Sequence, residues 1–241
     1  MSYKIFSLDE TALTIDFGGA VSFAVNDRIC ALAEFIAQNP FRGLREIVPA
    51  FNSLTIFYDV REVRRAFPKF ETAFAAVKNH VEQCVTEIAD FGADKPKRLV
   101  EIPVCYDAEF APDLNFVAAH NNIVPEEVIK IHTSRAYRVF MLGFLPGFPY
   151  LGEIDERIGA PRKAEPRLNV PQGSVGIAGR QTGIYSLASP GGWQIIGKTP
   201  LTLFTPEAES PTLLQIGDTV QFYRINKSSF DELASNQSEI E

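Results

Sequence analysis

The residues best suited to acid–base chemistry in this chain are its histidines, which lie at positions 80, 120 and 132. Histidine titrates near neutral pH, so it can donate or accept a proton during a reaction. His120 and His132 precede a stretch rich in glycine and proline, whereas His80 falls inside a predicted helix. His120 and His132 are therefore candidate catalytic residues. The alternative is a structural role, which for His132 would be that of a cation at a helix C-terminus.

Arginines on a proline-rich segment form a second candidate group. The segment PRKAEPRLNVPQGSV begins at Pro161 and carries Arg162 and Arg167. The planar guanidinium suits carboxylate or phosphate, and a backbone stiffened by proline lowers the ordering cost of binding. Both arginines are predicted to bind an anion. The alternative is a solvated basic loop that forms ion pairs with the nearby acidic residues Glu153, Asp155, Glu156 and Glu165.

Large apolar side chains occur between glycines and prolines in the run GFLPGFPYLG, residues 143–152. Surface loops are seldom so apolar, and exposed aromatic patches mark binding surfaces. The run is predicted to form the lip of a pocket or a subunit contact, unless it packs over its own core. The candidate contact residues of this run are Phe144, Pro146, Phe148 and Tyr150.

Residues 192–199 match the phosphate-binding pattern G-x-x-x-x-G-K-T, but their context argues against that function. A phosphate-binding loop needs a helix directly after it. Here the middle positions include Trp193 and two isoleucines, and Pro200 followed by LTLF predicts another strand. The segment is predicted to be the edge of a β-hairpin, where Trp193 and Lys198 remain candidate contacts and Lys198 could still reach an anion.

Composition and charge exclude several classes of protein. The 241 residues contain 23 Lys and Arg against 30 Asp and Glu, a net charge of −7. An acidic chain without a basic run does not suit nucleic acid, and no apolar stretch approaches the ~20 residues that cross a bilayer. The N-terminus lacks the apolar core of a signal peptide, so a cytoplasmic location is predicted. Cys30, Cys84 and Cys105 are widely spaced, which predicts neither a disulfide framework nor a bound metal.

The first hundred residues alternate strand and helix patterns. Strands are predicted at 12–17, 44–48, 54–58 and 99–105, with helices after Asn26 and over 70–89. The segment 92–96 is a predicted turn. The order β-α-β-β-α-β is that of a ferredoxin-like α/β sandwich. Such a fold by itself assigns no function.

The chain changes character beyond its middle section, where two short helices are predicted around 113–121 and 125–134. Residues 141–204 contain 11 of the 16 glycines and 7 of the 16 prolines, with short apolar runs between them. That pattern is typical of many short strands in a barrel or sandwich. The predicted division is an N-terminal α+β domain at 1–95, a C-terminal barrel domain at 96–227, and a short helix with a disordered tail at 228–241.

A set of motifs resembles the KipI/PxpB family, also called allophanate hydrolase subunit 1-like. The motifs are LGFLPGFPYLGEID, PRKAEPRLNVPQGSV, QTGIYSLASPGGW and IIGKTP, in that order between His120 and Phe204. Departures from the family pattern are small: Gln172 stands where a small residue is usual, Lys198 where arginine is frequent, and Val124 in place of a threonine-type cap.

The resemblance implies an α+β fold in which a small N-terminal domain precedes a cyclophilin-like β-barrel. It also implies the B-type subunit of an ATP-dependent 5-oxoprolinase, an enzyme that opens 5-oxo-L-proline to L-glutamate. In such an enzyme, the B-type and C-type subunits together activate the lactam with ATP, and the A-type subunit completes ring opening. ATP is then expected at a site shared with a partner subunit, without a bound metal in this chain. The alternative drawn from the family is an inhibitor of a sensor histidine kinase.

Side-chain chemistry suggests roles within that reaction. Arg162 and Arg167 would bind the anionic groups, since the carboxylate and the phosphoryl group both need fixed cations. His120 or His132 would transfer a proton or anchor a polar group. Gln181 and Thr182, in the motif QTGIY, would donate and accept hydrogen bonds.

Overall fold

The computed structural model describes residues 2–88 and 98–238, and it divides into a unit Met1–Pro96 and a unit Lys97–Glu241. The predicted turn at 92–96, the predicted junction at 95/96 and the last residues of the predicted tail lie outside the described residues. Among the described helices, none combines the length and apolar character that spanning a bilayer requires. The helices and strands have the following bounds: α1 Phe23–Gln38, α2 Val60–Ala66, α3 Ala73–Glu87, α4 Leu114–His120, α5 Pro125–Thr133, α6 Lys227–Ser238; β1 Lys4–Asp9, β2 Ala12–Asp16, β3 Leu44–Pro49, β4 Ser53–Tyr58, β5 Leu99–Cys105, β6 Ala136–Leu142, β7 Pro149–Gly152, β8 Arg167–Val170, β9 Ser174–Ala178, β10 Gln181–Ile184, β11 Ser189–Gly191, β12 Gln194–Lys198, β13 Thr219–Ile225.

The N-terminal unit is an antiparallel sheet with helices packed on one face. Its strand order is β1-β2-β4-β3. Leu13 and Ile15 of β2 and the alternately buried Leu54 and Ile56 of β4 form one core with apolar residues of α1 and α3. The helices begin where the sequence supplies a cap, because a side-chain oxygen accepts the free N–H of the first turn. For α1 this cap is Ser22, which accepts from the backbone N–H of Val25.

The ferredoxin-like arrangement predicted from the strand and helix order does not form. An additional strand, β1, pairs with β2 as a hairpin at the sheet edge. The strand expected to complete the sheet, β5, instead pairs in parallel with β13 along its whole length and meets β12 at Lys198. A strand joins the neighbours that satisfy its N–H and C=O groups, and β5 finds them in the second unit.

The second unit contains a closed barrel, and the mixed α/β class with a barrel is confirmed. The strands follow one another around the barrel in the order β10-β7-β6-β13-β5-β12-β9, and closure pairs each of these strands on both sides. Its interior is filled by branched apolar side chains such as Val139, Leu151, Ile177 and Ile184, all fully buried. Strands β8 and β11 form a separate antiparallel pair.

Helices α4, α5 and α6 belong to the same unit as the barrel. Helix α5 forms within the range 125–134 predicted from the sequence, with Pro125, Glu126 and Glu127 in its first turn, where proline and acidic residues are favourable. Helix α6 continues to Ser238, further than the short helix expected before a disordered tail. Residues 234–238 are therefore helical.

Two glycines allow large aromatic side chains to pack on one wall of the barrel. Gly176 and Gly183 are direct neighbours across β9 and β10. A Cβ atom on Gly183 would lie 3.1 Å from the indole of Trp193 and 3.0 Å from the ring of Phe148. These positions lack side chains because the aromatic rings occupy the space.

Gly173 is a third position in the barrel unit where a side chain would meet its neighbours, here the backbone of Thr199. Its φ is +82°, and a Cβ there would overlap the carbonyl oxygen of Thr199, whereas Gly179 has φ +60° with open space around it. We expect Gly179→Ala to cost about 1–2 kcal/mol through the left-handed backbone alone. Gly173→Ala should cost clearly more, because the backbone must also move. Urea unfolding of both variants measures the difference, and equal losses would contradict the predicted overlap.

Candidate functional site

A pocket of about 640 Å³ lies on the barrel unit and is lined by Asp113, Phe116, Arg162, Lys163, Ala164, Glu165 and Gln194. These residues come from the start of α4, the proline-rich segment and the start of β12. The volume is within the ~300–1,000 Å³ typical of small-molecule sites. Of the candidates from the sequence, Arg162 lines this pocket directly.

The wall of the pocket is held together by the buried carboxylate of Asp113. Its two oxygens accept hydrogen bonds from the two terminal nitrogens of Arg167, both at 2.7 Å, and from Lys163 Nζ at 3.3 Å. The backbone N–H of Ile195 donates to the same carboxylate at 2.7 Å. Burial raises the pKa of Asp113, but the hydrogen bonds from Arg167 and Ile195 outweigh it, so the pKa lies below its ordinary value. Asp113 is therefore ionised at neutral pH.

Arg167 was expected to bind a ligand anion, and the structure places it differently. Its Nη1 and Nη2 are both occupied by Asp113 in a bidentate pair, a geometry that the planar guanidinium favours. Arg167 thus anchors the first residue of β8 to the start of α4. It supports the wall of the pocket rather than presenting a free cation to it.

Arg162, in contrast, has no hydrogen-bonding or carboxylate partner within the described part of the chain. The backbone around it is fixed at two points. Gln194 Nε2 donates to the carbonyl of Pro161 at 2.9 Å, and the N–H of Lys163 donates to the carbonyl of Gly192 at 2.7 Å. The guanidinium is exposed at the pocket and available for an anion.

His120 lies at the outer edge of the same region. It is exposed, and its ring stacks on that of Phe116 with 5.9 Å between centroids and 17° between planes. The two residues are one turn apart on α4, which places their side chains on one face. Because Phe116 lines the pocket, His120 stands next to it without being a lining residue.

The GFLPGFPYLG run divides into buried and exposed side chains. Phe148 is 1% exposed and meets Tyr150, Tyr185 and Trp193 edge to face. Phe144 and Pro146 are exposed, and Phe144 has a φ of +71°, which is unfavourable for a bulky residue. The run is therefore partly core, as one alternative held, and partly an exposed lip.

The aromatic cluster is close to Arg162. Burial raises the pKa values of Tyr150 and Tyr185, and in both cases the positive charge of Arg162 acts in the opposite direction. Phe144 meets the ring of Tyr185 edge to face at 6.4 Å. Phe144 of the exposed lip therefore lies against the buried Tyr185, and the charge of Arg162 acts on both tyrosines.

His132 is not at the pocket but in the interior of the barrel unit, with no exposed surface. Thr182 donates its hydroxyl proton to the carbonyl of Gly176, so it accepts from His132 Nε2 at 3.0 Å. Nδ1 then accepts from the hydroxyl of Tyr106 at 2.8 Å. The imidazole stacks on Phe222 at 4.6 Å. Burial lowers the pKa of His132 to about 3, which leaves it neutral.

The other candidates lie apart from the pocket. Lys198 stands over the rings of Phe110 and Phe230, 5.8 Å from each centroid, in cation–π contacts. Gln181 begins β10 and pairs with Gly152 and Ala178. Neither residue lines the pocket.

The sequence reasoning missed Asp113, Phe116, Gln194, Tyr106 and Tyr185. The first two stand at the start of a predicted helix, where an acidic residue is an ordinary cap. Gln194 lies inside the G-x-x-x-x-G-K-T match at 192–199, which does not form a phosphate-binding loop, and no other feature of the sequence marks it as a pocket residue. Within residues 2–88 and 98–238, no group of His, Cys, Asp and Glu side chains is suited to hold a metal ion.

Together these features define an α/β protein in which a closed barrel unit carries a pocket lined by charged side chains of both signs, Arg162 and Lys163 with Asp113 and Glu165. The chain belongs to the family described as carboxyltransferase domain, subdomain C and D, whose model matches residues 3–214. It is 51% identical over 229 residues to the B-type subunit of the 5-oxoprolinase of Bacillus subtilis (strain 168), with 95% of each chain covered. The resemblance drawn from the motifs is confirmed.

Solved structures share the fold. The crystal structure of PH0987 from Pyrococcus horikoshii is 42% identical, with 94% of this chain and 100% of that chain covered and a TM-score of 0.54. TTHA0988 is 37% identical, with a TM-score of 0.75 over 89% of this chain. This chain spans 40% of the length of TTHA0988, so that relative carries further polypeptide.

The buried imidazole predicts a pH-dependent stability. The pKa of His132 is about 3 in the folded state and 6.5 in its unperturbed state, so the unfolded chain binds more protons between these values. Folding stability should therefore fall as pH decreases through this window, by up to ~1.4 kcal/mol per pH unit. His132→Gln should flatten the slope measured by urea unfolding from pH 6.5 to 4.5. Thr182→Val keeps the imidazole and should retain the slope. If the slope in His132→Gln equals that of the wild type, the buried imidazole is not the cause of the pH dependence.

The Asp113 network predicts a large loss on charge removal. Asp113→Asn leaves Arg167 without its carboxylate, and breaking such a partly buried pair should cost about 3 kcal/mol of unfolding free energy. Asp155→Asn, which weakens the exposed pair with Arg157, should cost less than ~1 kcal/mol. Denaturant unfolding measures both, and similar losses in the two variants would show that Asp113 does not hold the wall.

Proposed function

We propose that this protein is the B-type subunit of an ATP-dependent 5-oxoprolinase. The observation that carries the proposal is the exposed guanidinium of Arg162 in a pocket of small-molecule size, in a chain 51% identical to a protein of that name. A cation with no carboxylate partner among the described residues suits the carboxylate of 5-oxo-L-proline.

The reaction needs activation because a lactam carbonyl is a poor electrophile. Transfer of the γ-phosphoryl group of ATP to the lactam oxygen releases ADP and converts that oxygen into a leaving group. One water then adds to the former carbonyl carbon and the ring C–N bond breaks, which leaves an acyl phosphate. A second water hydrolyses this acyl phosphate and releases L-glutamate and inorganic phosphate. The enzyme must therefore bind a carboxylate and stabilise a transferring phosphoryl group in one place.

The residues of the pocket can be assigned to these tasks. Arg162 binds the substrate carboxylate, and Lys163, whose ammonium reaches only one oxygen of Asp113 at 3.3 Å, adds positive charge for the phosphoryl group. His120, exposed beside Phe116, is the proposed proton-transfer residue. His132 and Arg167 act as positioning residues, because one is buried and the other is paired.

ATP binds at a site shared with a partner subunit in this proposal. The exposed side chains of Phe144 and Pro146, and that of Leu168 at 91% exposure on β8, provide apolar surface on the barrel unit. Apolar side chains exposed to this extent favour a protein contact. The C-type subunit of 5-oxoprolinase is the proposed partner at this surface, and the A-type subunit completes ring opening. The longer chain of TTHA0988 supports a unit that works with additional polypeptide.

We further propose a cytoplasmic location and a barrel of the cyclophilin-like type. The sensor-kinase inhibitor remains the alternative. The two functions are separated by mixing the purified chain with the C-type and A-type subunits, ATP and 5-oxoproline and measuring glutamate. Equal glutamate formation with and without this chain would reject the enzyme proposal.

Arg162→Ala tests the assignment of the carboxylate site. The loss of a charge-assisted contact should lower kcat/KM for 5-oxoproline about 10- to 100-fold, since such hydrogen bonds contribute ~1.5–3 kcal/mol. The matched control is Arg180→Ala, because Arg180 is exposed on the same unit and pairs with Glu153 at 3.2 Å. The control should retain full activity. Equal activity in the two variants would remove Arg162 from the site.

A further inference from the structure

Gln194 carries a polar atom that the described residues leave unsatisfied. The residue lines the pocket and is 3% exposed, and its Oε1 is buried without a hydrogen-bond donor among the described residues. A buried amide oxygen without a donor is destabilising, and native proteins seldom retain one without a reason. At the wall of a pocket, a ligand N–H would satisfy it.

The orientation of this amide is fixed by its other end. Nε2 donates to the carbonyl of Pro161 at 2.9 Å. Exchange of the two amide atoms would place Oε1 against that carbonyl, and two acceptors repel one another. The atom of Gln194 that remains for a ligand is thus Oε1, which accepts hydrogen bonds and therefore selects a ligand with an N–H or O–H group.

The same hydrogen bond places this acceptor beside the cation of Arg162. The Pro161 carbonyl belongs to the peptide bond that leads into Arg162, and the next residue is held by Gly192 through a bond of 2.7 Å. Gln194 and Arg162 therefore belong to one fixed part of the wall. A ligand bound there meets an acceptor and a guanidinium together.

We propose that Gln194 is a specificity-determining residue, whose Oε1 accepts the ring N–H of a cyclic amide while Arg162 binds the carboxylate on the adjacent carbon. In 5-oxo-L-proline the N–H and the carboxylate are attached to the same carbon, so both can face one wall. The carbonyl carbon flanks the ring nitrogen on the side opposite the carbon that bears the carboxylate, so the lactam oxygen projects away from Arg162 and stays open to the phosphoryl donor. This inference rests on the proposed function for the identity of the ligand.

Hydrogen bonding to the N–H also assists the reaction. A lactam nitrogen that donates a hydrogen bond shifts electron density towards its carbonyl oxygen, since the bonds of an amide polarise one another. The oxygen becomes a better acceptor for the phosphoryl group. Gln194 should therefore affect kcat as well as the choice of ligand.

The test compares 5-oxo-L-proline with its lactone analogue, in which a ring oxygen replaces the N–H. Using the full chain assembled with the C-type and A-type subunits, we would measure the dissociation constant of each ligand and the rate of glutamate formation. The wild type should bind the lactam about 10- to 100-fold more tightly, because the lactone would leave Oε1 without a donor and facing another acceptor.

Gln194→Met removes the acceptor at similar side-chain length. It also removes the bond to Pro161, which affects Arg162 and should weaken both ligands equally. The dissociation constant of the lactone divided by that of the lactam therefore reports the contribution of Oε1 alone. In Gln194→Met this ratio should fall to about 1. The matched control is Gln221→Met, since Gln221 Nε2 likewise donates to a backbone carbonyl, that of Thr133 at 2.7 Å, but the residue does not line the pocket. Its ratio should equal that of the wild type.

The outcomes separate this inference from the proposed function. A ratio that stays high in Gln194→Met, or a wild type that binds lactam and lactone equally or binds neither, overturns the role of Gln194. If the ratio collapses as expected but no ATP-dependent glutamate forms with the wild type, the role of Gln194 holds and the proposed function fails. If the wild type forms glutamate at the normal rate but Gln194→Met keeps the wild-type ratio of dissociation constants, the proposed function holds and the role of Gln194 is overturned.

Discussion

The ionised carboxylate of Asp113 is the interaction on which the pocket depends. It joins α4, β8 and β12, because Arg167, Lys163 and the N–H of Ile195 all donate to it. The backbone of Asp113 also donates to the carbonyl of Ile195 at 2.9 Å. A buried carboxylate is tolerated only when its lone pairs are satisfied, and here both oxygens accept more than one hydrogen bond.

This arrangement determines which cation remains available. The pocket region contains the cationic side chains of Arg162, Lys163 and Arg167. Arg167 is neutralised by Asp113 and Lys163 contacts the same carboxylate, so Arg162 is the cation of this group that has no carboxylate partner among the described residues. Two arginines five positions apart on one proline-rich segment thus have different tasks. One holds the wall of the pocket, and the other faces the opening.

The sequence predicted the local structure better than the partners of each element. The start of α5 at Pro125 and the strands between glycines follow from backbone preferences, which are local. The pairing of β5 with β13 joins residues more than a hundred positions apart, and no local pattern encodes it. The ferredoxin-like prediction failed for this reason. The roles of Arg167 and His132 could not be predicted for the same reason, because their hydrogen-bond partners are distant in sequence. Asp113 lies 54 positions from Arg167, and Thr182 lies 50 positions from His132.

The exposed lip gives a physical reason for a partner subunit in the proposed reaction. A phosphorylated lactam reacts readily with water, so the site that forms it must exclude bulk solvent until the ring is ready to open. Phe144 retains an unfavourable backbone conformation while 61% of its surface is exposed, and such strain is usually kept for a function. The ring stands on Tyr185 beside Arg162. A second polypeptide that covers Phe144 and Leu168 would bury apolar surface and close the pocket in the same step, which would couple assembly of the enzyme to protection of its intermediate.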